Sequence, residues 1–255
     1  MSWWPMSLGP PARIPNQNHS AYVLTARCCD APDVRVEPRS YDGRMVAGLG
    51  GPDGGATRRE RQLQKLRDRS NKYSEKALAY LRAGQGEKAL GPNQRAIDII
   101  TELRAEEPGN EQHLLRLAEK LYDHAGMLAE AGRITEAVIV ARRSLQSYHE
   151  LTGGEVTPEA LTAQRHIELG RSSGPAAGRP DLFRLAAVTA DAKCRLASLL
   201  ARLTDDPGAK EKARQLGLEA SETYQLLAQL NIRYHPDQMR VLAEYLRIVE
   251  LTGPV

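Results

Sequence analysis

Residues 121–144 read LYDHAGMLAEAGRITEAVIVARRS, and their spacing decides the fold. Leu114, Leu117, Ala118, Leu121, Ala125 and Leu128 fall on one helical stripe before Gly132, and Ala137, Ala141, Leu145 and Tyr148 fall on another after it. A glycine between two such stripes lets the chain reverse, because it accepts the positive φ that ends a helix without steric cost. The segment therefore predicts two antiparallel helices joined at Gly132.

The same arrangement occurs three times. Gly84, Ala89 and Ala96, then Gly132, Ala137 and Ser144, then Gly208, Ala213 and Ala220 each place a small residue five and twelve positions after a glycine. In each, an apolar helix precedes the turn and another follows, and the small residues let the second helix approach its neighbour. The spacing is 48 residues from Gly84 to Gly132 and 76 from Gly132 to Gly208, so the third unit holds an insertion or a broken helix. The first turn, GQGEKA at residues 84–89, also matches G-x-G-x-x-A. A dinucleotide site needs a strand before that motif, and here the preceding SEKALAYLRA is helical in pattern. Gly91-Pro92 interrupts the second helix of this unit and predicts a kink or a late start there.

Outward from these units, residues 1–56 carry Pro, Gly, Asp and Asn at short intervals and predict a mostly disordered tail. Order begins at Thr57-Arg58-Arg59-Glu60, a T-x-x-E capping box. Leu63, Leu66, Tyr73, Ala77 and Tyr80 continue as a helical face, and Glu106-Glu107-Pro108-Gly109 closes the first unit. Thr157-Pro158-Glu159 heads a shorter helix reaching about Leu169, and residues 170–180 (GRSSGPAAGRP) compose a loop. A long helix over 182–203, a partner over 209–230 and a final helix from Pro236 complete the chain. No segment alternates with a period of two, so the expected class is all-α. The division is a tail at 1–56 and a helical-repeat domain at 57–255, with units about 57–109, 110–157 and 158–235 and a capping helix at 236–251.

Composition agrees with helices packed through small side chains. Of 255 residues, 41% are apolar but only 5% are aromatic, with a single Phe, so Leu, Ala, Ile and Val must build the core. The net charge of +3, from 35 basic and 32 acidic residues, is too balanced to argue for nucleic acid in general. Residues 57–72 hold seven basic side chains against two acidic, but without aromatic or recognition-helix patterning they read as a solvated lead-in helix. Three cysteines make no disulfide framework, and no apolar run has signal-peptide or membrane-spanning length. A cytoplasmic protein is the expectation.

The repeated residues resemble the tetratricopeptide repeat family. In Leu121–Ser144 the positions Ala125, Gly132, Ala137 and Ser144 match that family's small residues, and unit one matches through Tyr73, Ala77, Tyr80, Gly84, Ala89 and Ala96. The likeness covers roughly 70–251, and the units are longer than the family period of about 34 residues. Lys76 and His124 stand at inward-leaning positions where the family has apolar side chains. In length the units are similar to extended-helix forms of bacterial regulators and kinesin-light-chain-like arrays. The resemblance implies a curved α-solenoid whose groove, lined by the first helix of each pair, holds a partner peptide or helix. Carried over by position, the groove residues are Asn71, Ser74, Leu78 and Arg82 in unit one and Glu119, Tyr122, Gly126 and Glu130 in unit two. Where some members clamp a terminal carboxylate with Lys and Asn, this chain has Ser74, Leu78 and Asp123, so that clamp is not expected.

Catalytic and metal motifs lack their context. Gly170-Arg171-Ser172-Ser173-Gly174 fits G-x-S-x-G but lies in a loop between helices rather than a strand-turn-helix elbow. Six scattered histidines contain no H-E-x-x-H, and Cys194 reads as a packing residue. The expectation is a non-catalytic scaffold or adaptor for a protein or peptide, with no cofactor, no metal and no membrane span. The alternative is a regulatory domain that senses a ligand or peptide. Pairing of two copies through the end helices stays open.

Overall fold

A computed structural model describes residues 57–154, 156–170, 181–203 and 206–253. The tail at 1–56 and the loop residues 171–180, with the Ser172 motif, lie outside the described residues. Among the described residues the chain is all-α, without a strand. Helices α1 (Arg58–Arg82), α2 (Gly86–Glu106), α3 (Glu111–Glu130) and α4 (Ile134–Thr152) come first. They are followed by α5 (Pro158–Gly170), α6 (Leu182–Ala201), α7 (Pro207–Leu230) and α8 (His235–Thr252). The pairs α1·α2, α3·α4 and α6·α7 are antiparallel hairpins, stacked as a helical-repeat solenoid.

Local chemistry sets the boundaries. Thr57 Oγ1 accepts the Glu60 amide at 3.2 Å while the Thr57 amide donates to Glu60 Oε2 at 2.6 Å, the reciprocal cap that starts α1. At the end of α1, Gly84 takes φ +69°, its amide donates to Leu81 O at 2.9 Å, and the Gln85 amide donates to Tyr80 O at 2.9 Å. The end of α3 repeats this: Gly132 takes φ +77°, with bonds from Gly132 to Ala129 O (3.1 Å) and from Arg133 to Leu128 O (2.9 Å). Both are Schellman turns, which satisfy the last carbonyls of a helix and need a left-handed residue.

The third turn is built differently, which corrects the expectation for Gly208. Gly208 is not a turn residue but sits in the first turn of α7, outside the left-handed region. The work of starting the helix falls to Asp206, whose Oδ1 accepts the Gly208 amide at 2.9 Å, with Pro207 in the first turn. The small positions are nonetheless alike: Ala89, Ala96, Ala137, Ser144, Ala213 and Ala220 are all 0% exposed. Of the kink or late start expected at Pro92, the late start does not occur, since α2 starts at Gly86 and carries Pro92 inside it. Lys76 is a further correction: it lies exposed, its Nζ 5.9 Å from the centre of the Tyr80 ring, whereas His124 is buried.

Side chains then bond helix to helix, between hairpins in the first case below and within a hairpin in the other two. Asn93 in α2 donates to Lys120 O of α3 at 3.1 Å, and Ser144 in α4 donates to Ala118 O of α3 at 2.8 Å. Tyr224 in α7 donates its hydroxyl to Ala187 O of α6 at 3.3 Å. Each links a second helix to a first helix by satisfying a polar group that burial would otherwise penalise. Helix α5 inserts Leu161 against Phe183, Tyr224 and Leu227, and α6 becomes the most enclosed element because α4, α7 and α8 all pack on it. The inserted α5 thus accounts for the long third unit. No helix of the described residues is long and apolar enough to cross a membrane.

Candidate functional site

The first helices of the hairpins are α1, α3 and α6, and α8 follows them. Contacts join α3, α6 and α8 in the same sense along each helix: Glu119 to Arg184, Tyr122 to Arg195, Asp191 to Arg240 and Ser198 to Glu244. The exposed side of the first helices is where the tetratricopeptide resemblance places its groove residues.

At its centre Arg195 lays its guanidinium 3.7 Å from the centre of the Tyr122 ring and donates from Nη1 to the Tyr122 carbonyl at 3.3 Å. A stacked guanidinium of this kind is held by the electron-rich ring face. Gly126, one helical turn on, makes the space, since a Cβ there would stand 2.1 Å from Arg195 Nη1. Burial pushes the Tyr122 phenol up to about 12, with Asp191 adding to the rise and Arg195 opposing it. Beside it, Arg240 Nη2 pairs with Asp191 Oδ1 at 2.7 Å. Burial still raises the Asp191 carboxyl above the ordinary range, with Arg240 opposing. At the rim, Arg184 reaches Glu119 Oε1 at 3.2 Å with both side chains substantially exposed. At the far end Ser198 donates to Glu244 Oε1 at 2.5 Å.

The proposed groove residues separate into two groups. Glu119, Tyr122 and Gly126 come together with α6 and are committed to Arg184 and Arg195. Asn71, Ser74, Leu78 and Arg82 stay on α1, where Asn71 and Arg82 are exposed, Ser74 is half-buried and Leu78 is 40% exposed. None of these four side chains makes a hydrogen bond or ion pair to another described residue. Glu130 is exposed at the end of α3, with Oε2 3.3 Å from where a Gly86 Cβ would stand. Spacing alone missed Arg184, Asp191, Arg195 and Arg240. The signal for three of them was present, as charges inside the otherwise apolar run LFRLAAVTADAKCRLASLLA of α6.

Elsewhere a second polar cluster joins three elements. His113 Nε2 lies 2.6 Å from Glu107 Oε2, and Arg67 Nη2 lies 2.7 Å from the same oxygen. These hydrogen bonds, from His113 first and then Arg67, hold the Glu107 carboxyl below its usual range. The cluster ties α1 to the junction of α2 and α3. Burial raises the Cys194 thiol to about 12, which leaves it protonated and unreactive near neutral pH. Among the described residues no three His, Cys, Asp or Glu side chains are grouped as metal ligands. The GQGEKA turn follows helix α1, not a strand, and so lacks the context of a dinucleotide site.

Fold and site together define a class: an all-α helical-repeat protein with a polar face along its first helices. No family model matches the chain, and no curated protein matches it. Solved structures align with it at low similarity. A DHF58 filament is 16% identical, over 76% of this chain and 86% of its own, with a TM-score of 0.41. A MamA RS-1 ArsTM double mutant is 19% identical, over 72% and 94%, with a TM-score of 0.25. MamA 41-end from Desulfovibrio magneticus RS-1 is 19% identical, over 72% and 95%, with a TM-score of 0.24. Such scores do not define a shared fold, and the repeat assignment rests on the helices described above.

Proposed function

We propose that the chain is a non-catalytic interaction scaffold of the tetratricopeptide-repeat kind, which holds an extended peptide or a helix of a partner protein along α1, α3 and α6. One observation carries this reading. Uncommitted side chains on α1 (Asn71, Ser74, Leu78 and Arg82) belong to the same row of first helices as the paired groups on α3 and α6, where Arg184 and Glu119 are open to solvent. Such a row offers an apolar contact at Leu78 and charges of both signs, the mixture by which grooves of packed helices hold peptides. Residues without internal partners add affinity at no cost of broken contacts, so α1 would supply most of the energy and α3 and α6 the register.

The test selects peptides from a displayed library on the wild-type protein and measures their affinity for Leu78→Glu, Arg82→Glu and Arg184→Glu variants by fluorescence anisotropy. The α1 variants should weaken binding at least about tenfold, a loss of about 1.4 kcal/mol. Gln146→Ala, exposed on α4, should leave it unchanged. Peptides that bind all four proteins equally would remove the groove from this face.

A further inference from the structure

On the side of α6 that faces α4 and α7, the structure holds a cavity of about 560 Å³. Residue 193 lies two positions from both 191 and 195, a rotation of about 200° around the helix. Lys193 therefore points away from the first-helix row that contains Asp191 and Arg195. Its side chain is buried, at 5% exposed, and its Nζ lies 2.9 Å from Glu219 Oε2 of α7. The walls are apolar, built from Leu145 on α4, Leu196 and Leu200 on α6 and Leu216 on α7. Two further cations stand at the rim, Arg142 and Lys212, both exposed. Lys212 donates to the neutral Gln215 at 3.0 Å, and Arg142 has no carboxylate partner among the described residues.

A second cavity marks what is particular to this one. The equivalent gap one repeat earlier, between α2 and α4 over α3, has a volume of about 440 Å³ and is lined by Leu90, Leu128 and Ile139. Its charged groups, Arg133 and Glu136, are bonded to each other at 2.6 Å and cancel. A gap over the first helix thus recurs with stacking of the hairpins, but only the later one is rimmed by cations, Arg142 and Lys212, without a carboxylate partner among the described residues. Those cations stand beside apolar walls at a volume within the range of small-molecule sites.

We infer that the cavity between α4, α6 and α7 binds a small amphipathic anion, an apolar body of a few carbons ending in a carboxylate or phosphate. The body lies on Leu145, Leu196, Leu200 and Leu216, and the anionic end sits between Arg142 and Lys212. The Lys193–Glu219 pair closes the floor and prevents a neutral polar molecule from finding an unpaired partner.

The test titrates octanoate, octyl phosphate, 1-octanol and acetate into the full-length protein and follows leucine methyl resonances by NMR. Octanoate or octyl phosphate should shift the methyls of Leu145 and Leu216, and the stronger of the two identifies the head group. Acetate and 1-octanol should each bind at least about tenfold more weakly, since each lacks half of the interaction. Arg142→Glu and Lys212→Glu replace exposed side chains and keep the fold, which circular dichroism checks, and each should weaken the anion about fivefold. Arg82→Glu, on the first-helix row, should change nothing here, so failure of the peptide groove and failure of this cavity give different results. Equal binding of octanol and octanoate, unchanged affinity in both rim variants, or methyls that stay fixed at millimolar ligand would overturn the inference.

Discussion

Hairpin two (α3 and α4) and hairpin three (α6 and α7) bury equivalent small residues but enter their second helices by different chemistry. Hairpin two turns on Gly132 at φ +77° with a Schellman pair of hydrogen bonds. Hairpin three starts its second helix on Asp206 and Pro207, with Gly208 already helical. Yet Ala137 and Ser144 in one, and Ala213 and Ala220 in the other, are all fully enclosed. The packing of the second helix on the first is therefore independent of how the chain reaches it. The close approach of two helices demands a small side chain, whereas a helix start can be satisfied by a left-handed glycine or by a carboxylate cap.

The largest expected effect tests that equivalence in the core. Tyr148 and Tyr224 each follow the second small residue by four positions and are each 2% exposed. Replacing either by Ala should cost about 3–5 kcal/mol in chemical denaturation, the usual loss for a fully buried ring. The pair separates on removing the hydroxyl alone. Tyr224→Phe loses the bond to Ala187 O and should cost about 1 kcal/mol, while Tyr148→Phe, with no such partner among the described residues, should cost less. Equal losses for the two Phe variants would show that the hydroxyl bond is not what distinguishes the hairpins.

Next come the turns. Gly132→Ala forces an L side chain into the left-handed region and should cost about 1–2 kcal/mol. Gly208→Ala should be neutral or gain up to about 1 kcal/mol, because the residue is helical and its Cβ would stand 3.2 Å from the Asp206 carboxylate, which can adjust. In hairpin three the sensitive position is instead Asp206, where Ala should cost about 1 kcal/mol through loss of the cap. Thermal unfolding of the three variants decides the matter, and a loss at Gly208 as large as at Gly132 would break the distinction between the two turns.

The misreading of Gly208 shows what a sequence pattern carries. Spacings of five and twelve locate Ala213 and Ala220 correctly because they measure positions along one helix, where periodicity is rigid. The glycine lies outside that helix in hairpins one and two but inside it in hairpin three, and the stronger local signal, Asp206-Pro207, identifies the true start. The capping box at Thr57 was legible for the same reason: its chemistry is local. Pairing between helices was not. Glu119 and Tyr122 could be placed on a face of α3 by spacing, but their commitment to Arg184 and Arg195 depends on the path through the α5 insertion, which has no period. Pro92 does not delay the start of α2, since a helix held by buried Ala89, Leu90 and Asn93 tolerates the loss of one hydrogen bond.

A pH effect separates hairpin two from its neighbours. His124 is buried in α3, and burial, with Arg133 adding, pulls its pKa below the ordinary 6.5, so the folded protein holds it neutral. The unfolded chain takes up a proton below that ordinary value and the folded chain does not. Stability is therefore complete above pH 6.5 and declines as pH falls through the unfolded value toward the lower folded one. Denaturation at pH 7.5 and pH 5.5 should show a larger loss for the wild type than for His124→Leu, and identical losses would place the acid sensitivity elsewhere.

The smallest effect lies where the two hairpins meet. Gly126→Ala in α3 would put its Cβ against Arg195 Nη1 and move the guanidinium off the Tyr122 ring. The lost contact is worth about 0.5–1 kcal/mol, and an Ala inside a helix regains about 0.5–1 kcal/mol over Gly. Near-zero change in stability should therefore accompany a large local change, seen as movement of the Arg195 side-chain resonances away from the upfield position that stacking on a ring gives them. If instead stability falls by much more than about 1 kcal/mol, Arg195 has nowhere to go, and the contact between hairpins two and three is fixed by packing on both sides of α6 rather than by the ring alone.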